Sequence, residues 1–181
     1  ALTVKDTELL DILDSLKDEP SLIITDSQMF RKVNELIPEH LKLTSFSILM
    51  ARYKGDLDLF INGAKVINSL KPNDKILIAE SCTHHALKGD IAREKLPLLL
   101  EKKVGGKLNI VNITGVDFPD NLSEYKLIIH CGACMFTRRH LLSRLEHVKE
   151  QNIPITNFGV ALAELNGILD RSCNFLLNSK S

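Results

Sequence analysis

Short apolar runs alternate with segments of helical periodicity along most of this chain, and this alternation constrains the fold more than any other feature. The runs are rich in Leu, Ile and Val, as expected of strands that are buried on both faces of a sheet. The predicted strands span residues 22–25, 76–79, 108–111, 127–129 and 153–156. Amphipathic helices are predicted after the first and the fourth of them. The pattern therefore predicts an α/β fold, with parallel sheets and crossover helices.

The N-terminal part of the chain is predicted to form a smaller α/β unit. An amphipathic helix over residues 56–70 follows a segment at 43–50 that fits neither the helical nor the strand period cleanly. Pro72 then interrupts the pattern, so we predict one unit over residues 1–71 and another over 72–181. The apolar face of the 56–70 helix fits either a subunit interface or a cover for the sheet.

Charge and cysteine content exclude several classes of protein. Lys plus Arg and Asp plus Glu number 23 each, so no field is expected that would attract nucleic acid or an anionic membrane. The apolar stretches are far shorter than the roughly 20 residues that span a bilayer. Four cysteines are too few for the disulfide framework of a secreted domain this long. We expect a cytoplasmic protein with no nucleic-acid or membrane partner.

Three cysteines follow the ends of two predicted strands. Cys82 comes shortly after the strand at 76–79, and Cys131 and Cys134 come directly after the strand at 127–129. The carboxyl ends of parallel strands share one edge of a sheet, which is where open α/β sheets bind their ligands. The helix predicted after Cys134 would favour thiolates at its N-terminal end. The sequence therefore predicts a single three-cysteine metal site.

The spacing leaves the metal open. Zinc would take a closed Cys3His set, with His84 as the natural fourth ligand beside Cys82. An iron-sulfur cluster would use the three thiolates and leave one iron for another ligand. A third alternative is a metal-free thiol oxidoreductase that uses only the Cys131 and Cys134 pair.

Two motifs carry a resemblance to a known family. The segments Glu-Ser-Cys-Thr-His-His at 80–85 and His-Cys-Gly-Ala-Cys at 130–134 resemble the Cys-x-His…His-Cys-x-x-Cys signature of the HydF family of FeFe-hydrogenase maturation scaffold proteins. Segments at 44–56 and 89–97 are also similar to that family, so the resemblance covers most of residues 22–166.

The resemblance implies a dimerisation domain, here over residues 1–71, and an iron-sulfur cluster-binding domain, here over 72–181. It implies a 4Fe-4S cluster on Cys82, Cys131 and Cys134 with one exchangeable iron site. Such a homodimer would accept a di-iron subcluster precursor and deliver it to the apo FeFe-hydrogenase, with the radical-SAM maturases as further partners. This is a scaffold and carrier role without catalytic residues. The chain contains no G-x-x-x-x-G-K-[ST] phosphate loop, so the family's GTPase domain is expected to be absent and GTP hydrolysis is not expected.

The fourth position at the cluster has several candidates. His84 and His130 match the histidines of the family signature, and each could bind iron or instead hydrogen-bond to a cysteine sulfur or line the pocket. The carboxylates of Glu80 and Asp90 also lie near in sequence, although acids at a helix start are more often caps. Cys173 is predicted to be an unrelated thiol in a polar tail that begins at residue 172.

Overall fold

The computed structural model describes residues 1–81 and 90–178, and in them the predicted α/β fold with parallel sheets and crossover helices is confirmed. The strands are β1 (Ile23–Thr25), β2 (Leu43–Ser45), β3 (Lys75–Glu80), β4 (Asn109–Thr114), β5 (Leu127–His130) and β6 (Ile155–Asn157). The α-helices are α1 (Leu9–Ser15), α2 (Phe30–Leu36), α3 (Phe46–Lys54), α4 (Leu57–Lys65), α5 (Leu96–Val104), α6 (Arg138–Glu150), α7 (Phe158–Leu165) and α8 (Leu169–Asn178). None of the helices in these residues is both long and apolar enough to cross a membrane.

The strands form two sheets in which every pairing is parallel. The smaller sheet pairs β1 with β2, and α2 makes the crossover between them. The larger sheet has the order β4-β3-β5-β6. The side chains of β5 are buried along its whole length, which explains why its sequence is a continuous apolar run.

The larger sheet has a topological switch point between β3 and β5. After β3 the chain passes to β4 on one side of the sheet, and after β5 it passes through α6 to β6 on the other side. Such a reversal opens a crevice beyond the carboxyl ends of the two central strands. A ligand is therefore expected to bind beside the residues that follow β3 and β5.

The segment at 43–50 is a strand that runs into a helix without a loop. Ser45 is both the last residue of β2 and the N-cap of α3, where its hydroxyl accepts a hydrogen bond from the Ile48 amide at 3.3 Å. Asn157 has the same double role between β6 and α7, and it accepts from the Val160 amide at 2.9 Å. The periodicity changes within one residue, so neither template fits the whole segment.

Helix α4 packs directly against β6, within the chain. Its residues Leu57, Phe60 and Ile61 are buried, so of the two alternatives for this apolar face the structure supports a cover for the sheet. A close approach is possible because residue 63 is a glycine. A Cβ added to Gly63 would lie only 1.9 Å from the carbonyl oxygen of Ile155. The predicted boundary after residue 71 stays a prediction.

The prediction of a polar tail was wrong. Residues 169–178 form α8. Gly167, with φ +71, lies in the short turn between α7 and α8, where a left-handed residue ends the first helix. Cys173 on this helix is fully buried, and burial raises the pKa of its thiol to about 12. Half of the residues of α8 are polar, so its apolar face is not obvious from the sequence.

Candidate metal centre

The Cys-x-x-Cys segment lies at the carboxyl end of β5, beside the switch point. Cys131 is partly exposed, Cys134 is exposed, and both are free thiols. The other predicted ligand Cys82 and the candidate His84 lie outside the described residues. Ser81, which directly precedes Cys82, ends the described part of the β3 edge.

The sulfur of Cys131 contacts the end of the neighbouring strand β3. The backbone amide of Ser81 donates to Cys131 Sγ at 3.1 Å, and the thiol in turn lies 3.0 Å from Ser81 Oγ. A second amide, that of Ala133, donates to the same sulfur at 3.4 Å. The two amides and the Ser81 hydroxyl therefore hold this sulfur in position between the ends of β3 and β5.

His130 is buried directly beneath the Cys-x-x-Cys segment. Its Nδ1–H donates to the Cys131 carbonyl at 2.8 Å, and its Nε2 accepts from the guanidinium of Arg144 at 2.9 Å. Burial lowers the pKa of His130 to about 4; the Arg144 charge acts in the same direction, and the bond to the Cys131 carbonyl opposes both. The imidazole is therefore neutral, and both of its ring nitrogens are engaged by the protein.

Arg144 is a buried cation on α6 without a carboxylate partner within hydrogen-bonding distance among the described residues. Besides His130, it donates to the carbonyls of Gly115 and Val116 at 2.8 and 3.0 Å. Burial lowers the pKa of this guanidinium, whereas the nearby Cys131 and Asp117 oppose that shift. A negative charge at Cys131 would therefore be attracted by the buried guanidinium of Arg144.

Two phenylalanine rings hold the guanidinium of Arg144 in place. Its central carbon lies 4.8 Å from the ring centroid of Phe118 and 4.6 Å from that of Phe136. Contacts of this kind between a guanidinium and aromatic faces are strengthened where water is excluded. The ring of His140 packs against Phe136, with 4.1 Å between the two ring centroids.

The two candidate carboxylates have partners of their own. Glu80 ends β3 and lies 3.7 Å from the guanidinium of Arg93, with its side chain largely buried. Asp90 is the N-cap of the π-helical turn Ile91–Lys95 and accepts from the Arg93 amide at 3.0 Å. Asp90 is thus engaged as a cap, whereas Glu80 is the last residue of β3 and is paired with Arg93.

Sequence reasoning missed Arg144 and a second cation, Lys54 on α3, whose ammonium contacts the Cys-x-x-Cys segment. Arg144 had a signal, because it lies on the same helical face as Leu141, Leu145 and Val148, which are buried. An arginine on an apolar face needs partners for its donors. Lys54 had no such signal, since a lysine in the last turn of a helix is ordinary.

Two protein-family models match this chain. Residues 58–175 match the model of the Hydrogen maturase F tetramerization domain. The chain belongs to the hydrogen maturase F (HydF) family. Residues 1–55 match a second HydF model, that of the dimerization domain, so both matched segments are self-association domains of a hydrogenase maturation protein. A search of curated proteins found no match.

The described residues fit the anionic metal–thiolate group that the HydF resemblance implies. Two amides are directed at Cys131, and the cations Lys54 and Arg144 flank the segment that contains Cys134. Among the described residues alone, no three His, Cys, Asp or Glu side chains converge on a metal-sized space. The third predicted ligand, Cys82, is outside that set.

Proposed function

We propose that this HydF chain is a scaffold that binds a 4Fe-4S cluster through Cys82, Cys131 and Cys134. The observation that supports this best is the contact between the Ser81 amide and Cys131 Sγ at 3.1 Å. It joins the end of β3 to the end of β5, and Cys82 is the next residue of the chain. Three thiolates would then be contributed from two neighbouring strand ends.

With three thiolate ligands, a 4Fe-4S cluster supplies one iron that can exchange its remaining ligand. The protein's part is to orient the cysteines and to place hydrogen-bond donors and positive charge around them. The amides of Ser81 and Ala133 donate to Cys131, and Arg144 contributes a positive charge that favours an anionic site. His130 is engaged through both ring nitrogens, so we assign it to holding the Cys131 backbone instead of binding iron. His84 and Glu80 remain the candidates for the fourth position, and Asp90 is a cap.

Within hydrogenase maturation, the exchangeable iron is where a di-iron subcluster precursor would attach. We propose that the chain accepts this precursor from the radical-SAM maturases and delivers it to the apo FeFe-hydrogenase in the cytoplasm. The unit would be at least a homodimer, which the matched dimerization and tetramerization domains support. No chemical step is assigned to the protein's side chains beyond binding and release.

Anaerobic reconstitution with iron and sulfide tests the proposed ligand set. The full chain should take up about four irons and four sulfides, and Cys82→Ser, Cys131→Ser or Cys134→Ser should each lower that uptake severely, because a missing thiolate leaves an iron unheld. Cys173→Ala is the matched control: it removes the buried fourth thiol and should retain the cluster. Full uptake by the triple serine variant would refute the assignment. Bound zinc without sulfide would favour a structural Cys3His site instead.

A further inference from the structure

Lys54 bridges the two HydF segments at the metal centre. It is the last residue of α3, inside the segment that matches the dimerization domain, whereas the Cys-x-x-Cys segment belongs to the tetramerization match. Its ammonium donates to the carbonyls of Ala133, Cys134 and Phe136 at 3.1, 3.1 and 3.0 Å. These three bonds use all three donors of the ammonium.

The same helix also lies close to this segment two turns earlier. A Cβ added to Gly132 would lie 3.6 Å from Ser47 Oγ, and that hydroxyl accepts from the Gly159 amide at 3.1 Å. Ser47 and Lys54 are seven residues apart and so lie on one face of α3. This face therefore lines the metal-binding segment from Gly132 to Phe136.

The segment held by Lys54 has an unusual backbone. Ala133 adopts φ +52, a left-handed conformation that is unfavourable for a residue with a side chain. The peptide groups that give their oxygens to Lys54 must direct their N–H groups away from it, because a trans peptide is planar. The Lys54 ammonium thus binds three peptide groups around Cys134, and one of them, the Ala133 carbonyl, also accepts from the Phe136 amide at 3.1 Å.

We infer that Lys54 is a positioning residue that holds the Cys131–Cys134 segment in its ligand-ready conformation and couples it to the dimerization segment. The inference rests on the proposed cluster in one respect: the Lys54 charge would also stabilise the more negative, reduced cluster. The removal of that charge should then shift the midpoint potential of the cluster to a more negative value.

Amide hydrogen exchange of the metal-free full chain tests the positioning role without a cluster. In Lys54→Met, the hydrogen-bonded amides of Ala133 and Phe136 should exchange about tenfold faster, because three charge-assisted bonds to this segment are lost, while the amides of β3 and β5 should be unchanged. Lys54→Arg keeps the charge and should recover most of the protection. Lys65→Met is the matched control, since Lys65 is the exposed last residue of α4.

Wild-type exchange of the Ala133 and Phe136 amides in Lys54→Met would overturn the inference. The reconstituted proteins give the second readout, in which Lys54→Met should have a more negative midpoint potential than the wild type and Lys65→Met. An unchanged potential would remove the electrostatic part of the role. A wild-type chain that takes up no cluster would contradict the proposed function, while the exchange data would still decide the role of Lys54.

Discussion

Replacement of Arg144 by methionine is expected to lower the free energy of unfolding by about 3 kcal/mol. The substitution keeps an unbranched side chain between the rings of Phe118 and Phe136 but removes all of its donors. His130 Nε2 and the carbonyl of Gly115 would then be buried without partners, and the half-buried carbonyl of Val116 would also lose its donor. The relief of the guanidinium's own desolvation offsets part of this loss, which is why the expected value lies below the sum of three lost bonds.

Chemical denaturation of the metal-free chain measures the Arg144 effect. Arg139→Met is the matched control, because Arg139 is exposed in the first turn of the same helix. Loss of a cation near a helix N-terminus should be neutral or slightly stabilising. If Arg144→Met lowered the unfolding free energy no more than the control does, the buried network would have no structural role.

Gly63→Ala is expected to destabilise the fold by about 3 kcal/mol or more, although alanine is the better helix former. The added methyl would lie 1.9 Å from the carbonyl oxygen of Ile155 and 2.4 Å from its carbon. Those are backbone atoms of β6, so the obstacle cannot rotate away as a side chain could. Helix α4 would have to move off the sheet, and buried side chains such as Phe60 would lose packing.

The neighbouring position provides the control for Gly63. Asn62 is exposed on α4, and Asn62→Ala should stabilise the chain by a few tenths of a kcal/mol through helix propensity alone. Thermal or urea unfolding of the two variants should therefore shift in opposite directions. Equal stability of Gly63→Ala and the wild type would show that the α4–β6 contact is looser than the structure has it.

The two central strands of the main sheet could be predicted from the sequence because buried parallel strands appear as apolar runs. The predicted strand at 76–79 is β3 (Lys75–Glu80), and the one at 127–129 is β5 (Leu127–His130). The prediction failed where periods were short or mixed. The strand β2 (Leu43–Ser45) is followed at the next residue by the helix α3, so a strand pattern and a helix pattern meet there. Helix α8 has only a narrow apolar face.

The candidate site was partly predictable for a similar reason. Strand ends are readable from sequence, so the position of Cys131 and Cys134 at the rim of the sheet followed from the position of β5. Contacts across the fold are not readable in this way. Lys54 is about 80 residues from the carbonyls it binds, and no local sequence pattern indicates a contact between segments that far apart in the chain. The ligand role of Cys82 stays a prediction.

Electron paramagnetic resonance of the anaerobically reconstituted, reduced chain tests whether it binds a 4Fe-4S cluster with one exchangeable iron site. We expect the signal of a reduced 4Fe-4S cluster, and this signal should change when cyanide or imidazole is added, because one iron lacks a cysteine ligand. The variant without Cys82, Cys131 and Cys134 should give no such signal. A reduced wild-type protein that contains zinc, no sulfide and no cluster signal would show that the three cysteines do not hold a 4Fe-4S cluster.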